Sequence, residues 1–386
     1  MESLTTEKRI TDGLRFLEDK NVRFAVVKLI SCNGAESNSF IDARCGFEVL
    51  QENNKVPSFL PFTVMFEKGV SFLKRLENAN SEGIEQLQYT IKEALLCLDK
   101  FYATKGKNES SLRKVLDMRQ DEKSAITETD ITIAFAEHLL GKLAPDKSYT
   151  LDSRKEKKSC RCGCKKEPTY SCTGIGHELM WHGFIDIVFS SHQGIPAIAN
   201  VVVEKEEITP LKRKLDEEDD EQNEVSLDRG TKTEEKKHTL EQAFAQTIVF
   251  SLVQKQRHPD SLDHMVANIV ISPEKFEIVI YDADNDILLC SNSIFLFNLD
   301  LPENRTLTNE AVVILWMVLH YRIFCSGFNN ASHEVLERCK SNFKKLVGSR
   351  WDIYSNSLKY CVSGFPFIKK WSVNELLQRG HQLHLY

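Results

Sequence analysis

Two runs decide the fold: Gly183-Phe184-Ile185-Asp186-Ile187-Val188-Phe189 and Ile198-Ala199-Asn200-Val201-Val202-Val203-Glu204-Lys205-Glu206. Both are apolar and β-branched, so each predicts a strand, and the short connection around His192 to Pro196 predicts that they are neighbours. Acids in runs this apolar are costly unless they are paired, hydrogen-bonded or metal-bound. Side chains alternate along a strand, which puts Glu204 and Glu206 on one face and Lys205 on the other. With Asp186, three carboxylates then converge, and like charges that close are relieved most simply by a divalent cation. Hard oxygen donors suit Mg²⁺ or Mn²⁺, which polarises a phosphoryl oxygen and lowers the pKa of a bound water. The plainer alternative is that these acids cap strand ends and face water, but the apolar flanks of Asp186 argue for a central strand.

Working outward, Ile126–Leu143 predicts a helix with Thr129 or Asp130 as cap and an apolar stripe of Ile131, Phe135, Leu139 and Leu140. Residues 207–238 interrupt the pattern: 18 of 32 are charged and none is Phe, Trp or Tyr, which predicts a disordered insertion. Within it Lys212, Arg213 and Lys214 match a nuclear-import signal, or a solvated charge run. Thr239–Gln256 predicts a helix, opened by a capping box between Thr239 and Gln242. Strands follow at His264–Ile271 and Lys275–Tyr281, then at Ile287–Cys290 after a turn at Asp284-Asn285, with helices over 308–325 and 332–347. This order predicts an α/β (α+β) fold, a mixed central sheet with helices on its faces. Three regions are expected: a helix-rich 1–120 containing a strand at Arg23–Ile30, a core over 121–292, and a C-terminal helical extension over 293–386.

Gly183-x-x-Asp186, Val201-Val202-Val203-Glu204-Lys205-Glu206 and Gln242-Ala243-Phe244-Ala245-Gln246 together resemble the PD-(D/E)xK nuclease superfamily, in the subgroup with a helical Gln-x-x-x-Gln signature. The resemblance spans roughly residues 125–292. It implies a restriction-endonuclease-like core, a metal held by Asp186 and Glu204, a substrate or water contact from Gln242, and Glu137 as an additional ligand. Catalytic candidates are therefore Asp186, Glu204, Glu206, Gln242 and Gln246. The pattern departs from the family at Glu206, where a Lys is usual. Three explanations stay open: a Glu-tolerant site, a bulge that turns Lys205 inward, and a site that has lost catalysis. The implied activity is phosphodiester hydrolysis by a metal-activated water. The alternative is a nuclease-fold module that binds nucleic acid or protein without cleaving.

Cys160-Arg161-Cys162-Gly163-Cys164, with Cys172 beyond, places four thiols in 13 residues. They suit tetrahedral Zn²⁺, with His177 as a substitute ligand, or, since the usual Cys-x-x-Cys knuckle is absent, are reduced or redox-active loop cysteines. The same stretch carries Arg154, Lys155, Lys157, Lys158, Arg161, Lys165 and Lys166, a candidate phosphate-contacting patch or a solvated basic loop. His177 and His182 are candidate bases. Asp282, Asp284 and Asp286 have the spacing of a Ca²⁺ loop but lack its glycine and distal glutamate, so a polar hairpin tip is expected.

The chain of 386 residues is 41% hydrophobic and 27% charged with net charge −6, a soluble globular profile that excludes a wholly basic nucleic-acid sponge. The first nine residues have no apolar core, and the longest apolar run, Ala311–Leu319, is too short for a bilayer, so an intracellular protein of the nucleus or cytoplasm with reduced cysteines is expected. Nucleic acid is the expected partner, with residues 1–120 as a surface for a protein partner.

Overall fold

The computed structural model describes residues 6–18, 22–50, 59–77, 89–118, 126–190, 197–203, 225–259, 264–298, 305–328 and 331–360, with only the backbone course given over 225–236. Glu204, Glu206 and the Lys212-Arg213-Lys214 run lie outside the described residues.

The strands are β1 (Arg23–Cys32), β2 (Asn38–Ser39), β3 (Cys45–Val49), β4 (Phe59–Pro61), β5 (Tyr149–Asp152), β6 (Tyr170–Ser171), β7 (Gly174–Gly176) and β8 (Trp181–Phe184). They continue as β9 (Ile187–Phe189), β10 (Ala197–Val201), β11 (Met265–Ile271), β12 (Lys275–Asp282), β13 (Ile287–Ser291), β14 (Ile294–Phe295) and β15 (Lys359–Tyr360). Eleven form one mixed sheet in the order β3-β1-β13-β12-β11-β10-β9-β5-β6, with β14 beside β12 and β4 beside β1. This is the mixed α/β architecture that the element order predicts. β9 and β10 are antiparallel, whereas β10 and β11 are parallel, with the long helix Val225–Arg257 as the crossover between them. Parallel strands need such a connection, and strands covered on both sides are buried and mostly apolar, as Ala197–Val201 and Met265–Ile271 are; their two asparagines bond to each other, Asn200 donating to Asn268 (2.8 Å).

Alternation assigns the two faces. Ile187, Phe189, Ala199, Val201, Ile269 and Ile271 face a core shared with the helices Glu128–Phe135 and Asn309–Leu319. Val188, Ile198, Val266, Val270 and Tyr281 face the long helix through Phe244, Ile248, Val249 and Leu252. Residues 311–319 are fully buried, as the apolar run predicts, and among the described residues no helix is long and apolar enough to cross a membrane.

Residues 1–120 supply β1 over the strand expected at Arg23–Ile30; it inserts between β3 and β13, and Phe24 and Phe62 of this region lie in the central core. Several expectations are corrected. The helix begins at Val225, fourteen residues before Thr239, so the last part of the charged stretch is helical and Thr239 is not a cap. Lys and Glu are good helix formers, and extending a nucleated helix costs little. The run Gly183–Phe189 is two strands, not one. β8 belongs to a second, four-stranded sheet ordered β15-β7-β8-β2, β9 belongs to the large sheet, and the chain changes sheets at Ile185-Asp186. Gly183 permits the bend: its φ is +151°, and a Cβ there would stand 2.8 Å from the Phe40 ring. The smaller sheet is tied to both ends of the chain by the Trp181 indole donating to Asn33 (2.9 Å) and by Trp181 stacking on Phe343. The 283–286 turn is a polar hairpin tip, with Asp282 accepting from the Asp284 and Asn285 amides.

Candidate metal centre and the acidic site beside it

The helix that precedes β5 opens on Thr127, not on Thr129 or Asp130. The Thr127 hydroxyl accepts from the Asp130 amide, and the Asp130 carboxylate accepts back from the Thr127 amide. After Phe135 the helix widens into a π-turn over Ala136–Leu140. Such turns add a residue and recur at functional sites. This one carries His138.

His138 Nε2 lies 3.1 Å from Cys162 Sγ, 3.4 Å from Cys160 Sγ and 3.7 Å from Cys164 Sγ. The four ligand atoms all fall within 4.8 Å of one another, and three of the four residues are buried. In an extended strand alternate residues stand about 6.6 Å apart, too far for one ion. The loop is instead curled, with Gly163 at φ +89° and Lys165 at φ +55°. Tetrahedral zinc with bonds of about 2.3 Å to sulfur and about 2.0 Å to nitrogen needs N···S separations of about 3.5 Å, so this cluster can hold a metal with shifts of a few tenths of an ångström. Burial pushes the His138 pKa down to about 4 against the opposing pull of Glu137, so the ring is neutral at pH 7, as a ligand must be. Burial raises the Cys162 thiol, but the Cys164 amide and neighbouring thiols outweigh it and leave its pKa lowered, whereas burial keeps Cys160 raised.

The fourth member of the cluster is thus His138, which lies 22 residues before the first cysteine, and not Cys172 or His177. His177 Nδ1 accepts from the Leu179 amide (3.1 Å) and His182 Nδ1 donates to the Met180 carbonyl (2.7 Å), so both rings serve the β7–β8 hairpin. Glu137 accepts from the Tyr149 hydroxyl and pairs with Lys166 (3.3 Å), so it buttresses the cysteine loop and its partners do not include Asp186.

Asp186 stands where the chain crosses between sheets. Its Oδ2 accepts from the Val201 amide (2.9 Å) at the end of β10, three residues before Glu204. Its Oδ1 lies 3.0 Å from the Lys155 ammonium, which also meets Glu128 at 2.6 Å. Burial raises the Asp186 pKa, and Lys155 and the Val201 amide oppose that rise. Burial alone lowers Lys155, but Asp186 and Glu128 overcome it and raise its pKa. From the long helix, Gln246 donates to the Phe184 carbonyl (3.3 Å), two residues before Asp186, while its buried Oε1 has no hydrogen-bond partner. Gln242, one turn earlier, is half-buried. Glu128 and His138 are the residues that sequence reasoning missed. Glu128 had the signal of an acid in a first helical turn, whereas His138, in a buried apolar stripe, had none.

The basic patch is mostly neutralised internally. Arg154 pairs with Asp152 (2.8 Å) and lies over the Phe184 ring, and Lys158 and Arg161 both pair with the buried Asp130 (3.0 and 3.5 Å). With Lys155 and Lys166 committed as above, Lys157 and Lys165 are the exposed cations of the stretch without a carboxylate partner among the described residues.

Comparison with protein-family models, curated proteins and solved structures finds no match to this chain.

Proposed function

We propose that the chain is a divergent metal-dependent phosphodiesterase of the PD-(D/E)xK type, acting on nucleic acid at Asp186 and braced by a structural zinc at His138, Cys160, Cys162 and Cys164. The observation that carries this reading is the crossover. β10 and β11 are parallel neighbours joined through the Gln242–Gln246 helix, and Asp186 is bonded to the end of β10 from which Glu204 follows. Asp186 and Glu128, which share Lys155, are oxygen donors that suit a hard cation, Mg²⁺ or Mn²⁺, and Gln246, bonded to the Phe184 carbonyl, keeps a buried Oε1 without a partner. Such an ion supplies Lewis acidity and a nucleophilic hydroxide when bound. Asp186 and Glu204 would hold it, and Gln246 would orient a water or a phosphate oxygen through Oε1. Lys155 would offset the negative charge that Glu206 leaves in place of a lysine. The Cys₃His set is soft and closed, with four protein ligands and no open position, so its contribution is to stability.

The test is cleavage of labelled single- and double-stranded DNA and RNA by the purified chain with Mg²⁺ or Mn²⁺. Cleavage should need the metal and vanish in Asp186→Asn; cleavage that survives this substitution excludes the site. A second reading, a nucleic-acid or protein-binding module without catalysis, is favoured by one observation: the Lys155 ammonium already neutralises Asp186. Retention of nucleic acid without cleavage under every metal condition would establish it.

A further inference from the structure

We propose that the metal tetrad and the Asp186 site are one coupled device: metal at His138, Cys160, Cys162 and Cys164 holds Lys155 against Asp186, which makes Lys155 a positioning residue. This rests on the reading of Asp186 as the functional centre.

The loop from Ser153 to Lys166 is a strap along one helix. Reading along it, Lys155 meets Glu128, Lys158 meets Thr127 and Asp130, Arg161 meets Asp130, the three cysteines meet His138, and Lys166 meets Glu137. Every one of these partners lies between residues 127 and 138; the first residues of the strap also touch the sheets, Arg154 at Asp152 and Phe184 and Lys155 at Asp186. The ionic anchor of Lys155 itself is weak, because Glu128 is 54% exposed and half-exposed pairs contribute about 1 kcal/mol or less. A tetrahedral metal would be the strongest anchor on this strap, beside the partly shielded Lys158–Asp130 pair, and it would sit five residues from Lys155. The ammonium itself is well shielded, 11% exposed, so its place depends on the strap's course rather than on a long arm in solvent. Without the metal, three sulfurs and a neutral imidazole have nothing to converge on, the curl at Gly163 opens, and Lys155 is released from Asp186.

Coupling is reciprocal, which allows a test without nucleic acid. If metal favours the Lys155–Asp186 contact, then removing Lys155 must weaken the metal by the same factor. Zinc affinity is measured by competition with a chromophoric chelator on the folded full-length chain. Lys155→Met should bind zinc about tenfold more weakly, Lys155→Arg should recover most of the loss, and Lys157→Met, which removes the same charge from an exposed position of the same strap, should change nothing. In parallel, acetylation of lysines is read by mass spectrometry with and without zinc. Lys155 should be protected in the zinc-loaded chain and react like Lys157 after chelation, while Lys105, paired with Glu109 on a different helix, stays protected. Unchanged zinc affinity in Lys155→Met, or an equal loss in Lys157→Met, overturns the coupling. Failure to cleave nucleic acid would overturn the proposed function instead and leave these two measurements standing.

Discussion

Replacing His138 by Ala separates the spatial tetrad from the linear cysteine cluster. The ring places Nε2 within 3.7 Å of all three sulfurs, and its loss leaves a three-thiolate site to be completed by water. Removing a group that merely orients a ligand costs 10–100-fold in metal affinity, so removing a ligand itself should cost at least about 100-fold, or about 2.7 kcal/mol. The stability readout follows by mass action. With free zinc at about 100 times the wild-type dissociation constant, the metal stabilises the wild type by about 2.7 kcal/mol; a site 100-fold weaker gains about 0.4 kcal/mol, a loss of about 2.3. The quantity compared is the difference between melts with zinc and with chelator, which cancels any cavity that the Ala leaves. His177→Ala and Cys172→Ser are the controls and should leave that difference intact, and native mass spectrometry should count one zinc per wild-type chain. The reasoning fails if His138→Ala retains wild-type zinc affinity, or if Cys172→Ser or His177→Ala abolishes it.

A double-mutant cycle between Lys155→Met and Asp186→Asn, read by urea unfolding at pH 7, should give a coupling energy of about 1–2 kcal/mol, because the pair is shielded but Glu128 partly compensates; a value near zero would show the contact to be energetically empty. His320 is buried, and burial holds its pKa near 4, against about 6.5 when unfolded. The unfolded chain therefore takes up this proton first, and the contribution is whole above pH 6.5 and lost as pH falls towards 4, about 3 kcal/mol in all. His320→Phe should flatten the stability–pH curve over that interval, and an unchanged slope would refute the assignment. Gly183→Ala should destabilise by about 1–3 kcal/mol, since it combines a left-handed φ with a clash against Phe40; a wild-type melting temperature would show that the sheet-to-sheet bend does not need glycine.

Much of the core was legible because its signals are local. Met265–Ile271 and Lys275–Asp282 are apolar, β-branched runs bounded by turn residues, and they form β11 and β12 within a residue or two of the boundaries expected. Ala311–Leu319 could only be a buried helix, being too apolar for a surface and too short for a bilayer. The break in Gly183–Phe189 was hidden because Asp186 interrupts an apolar run without ending it; the bend comes from a glycine conformation and a competing second sheet, neither of which has a sequence period. The Thr239–Gln242 capping box misled for a related reason: a motif that can start a helix does not start one when the preceding residues are themselves helix formers.

The cysteine spacing by itself offered a metal-binding cluster beside reduced or redox-active loop cysteines, and the acid-tipped apolar runs announced a buried carboxylate, because softness, charge and hydropathy are properties of the residues. Which groups complete each site was decided only by tertiary structure. His138 reaches the thiolates because a π-turn in a helix and a curl at Gly163 bring residues 22 positions apart together. Lys155, expected to face phosphate, is drawn inward because the same strap lays its ammonium between the exposed Glu128 and the largely shielded Asp186, whose carboxylate needs a cation beside it.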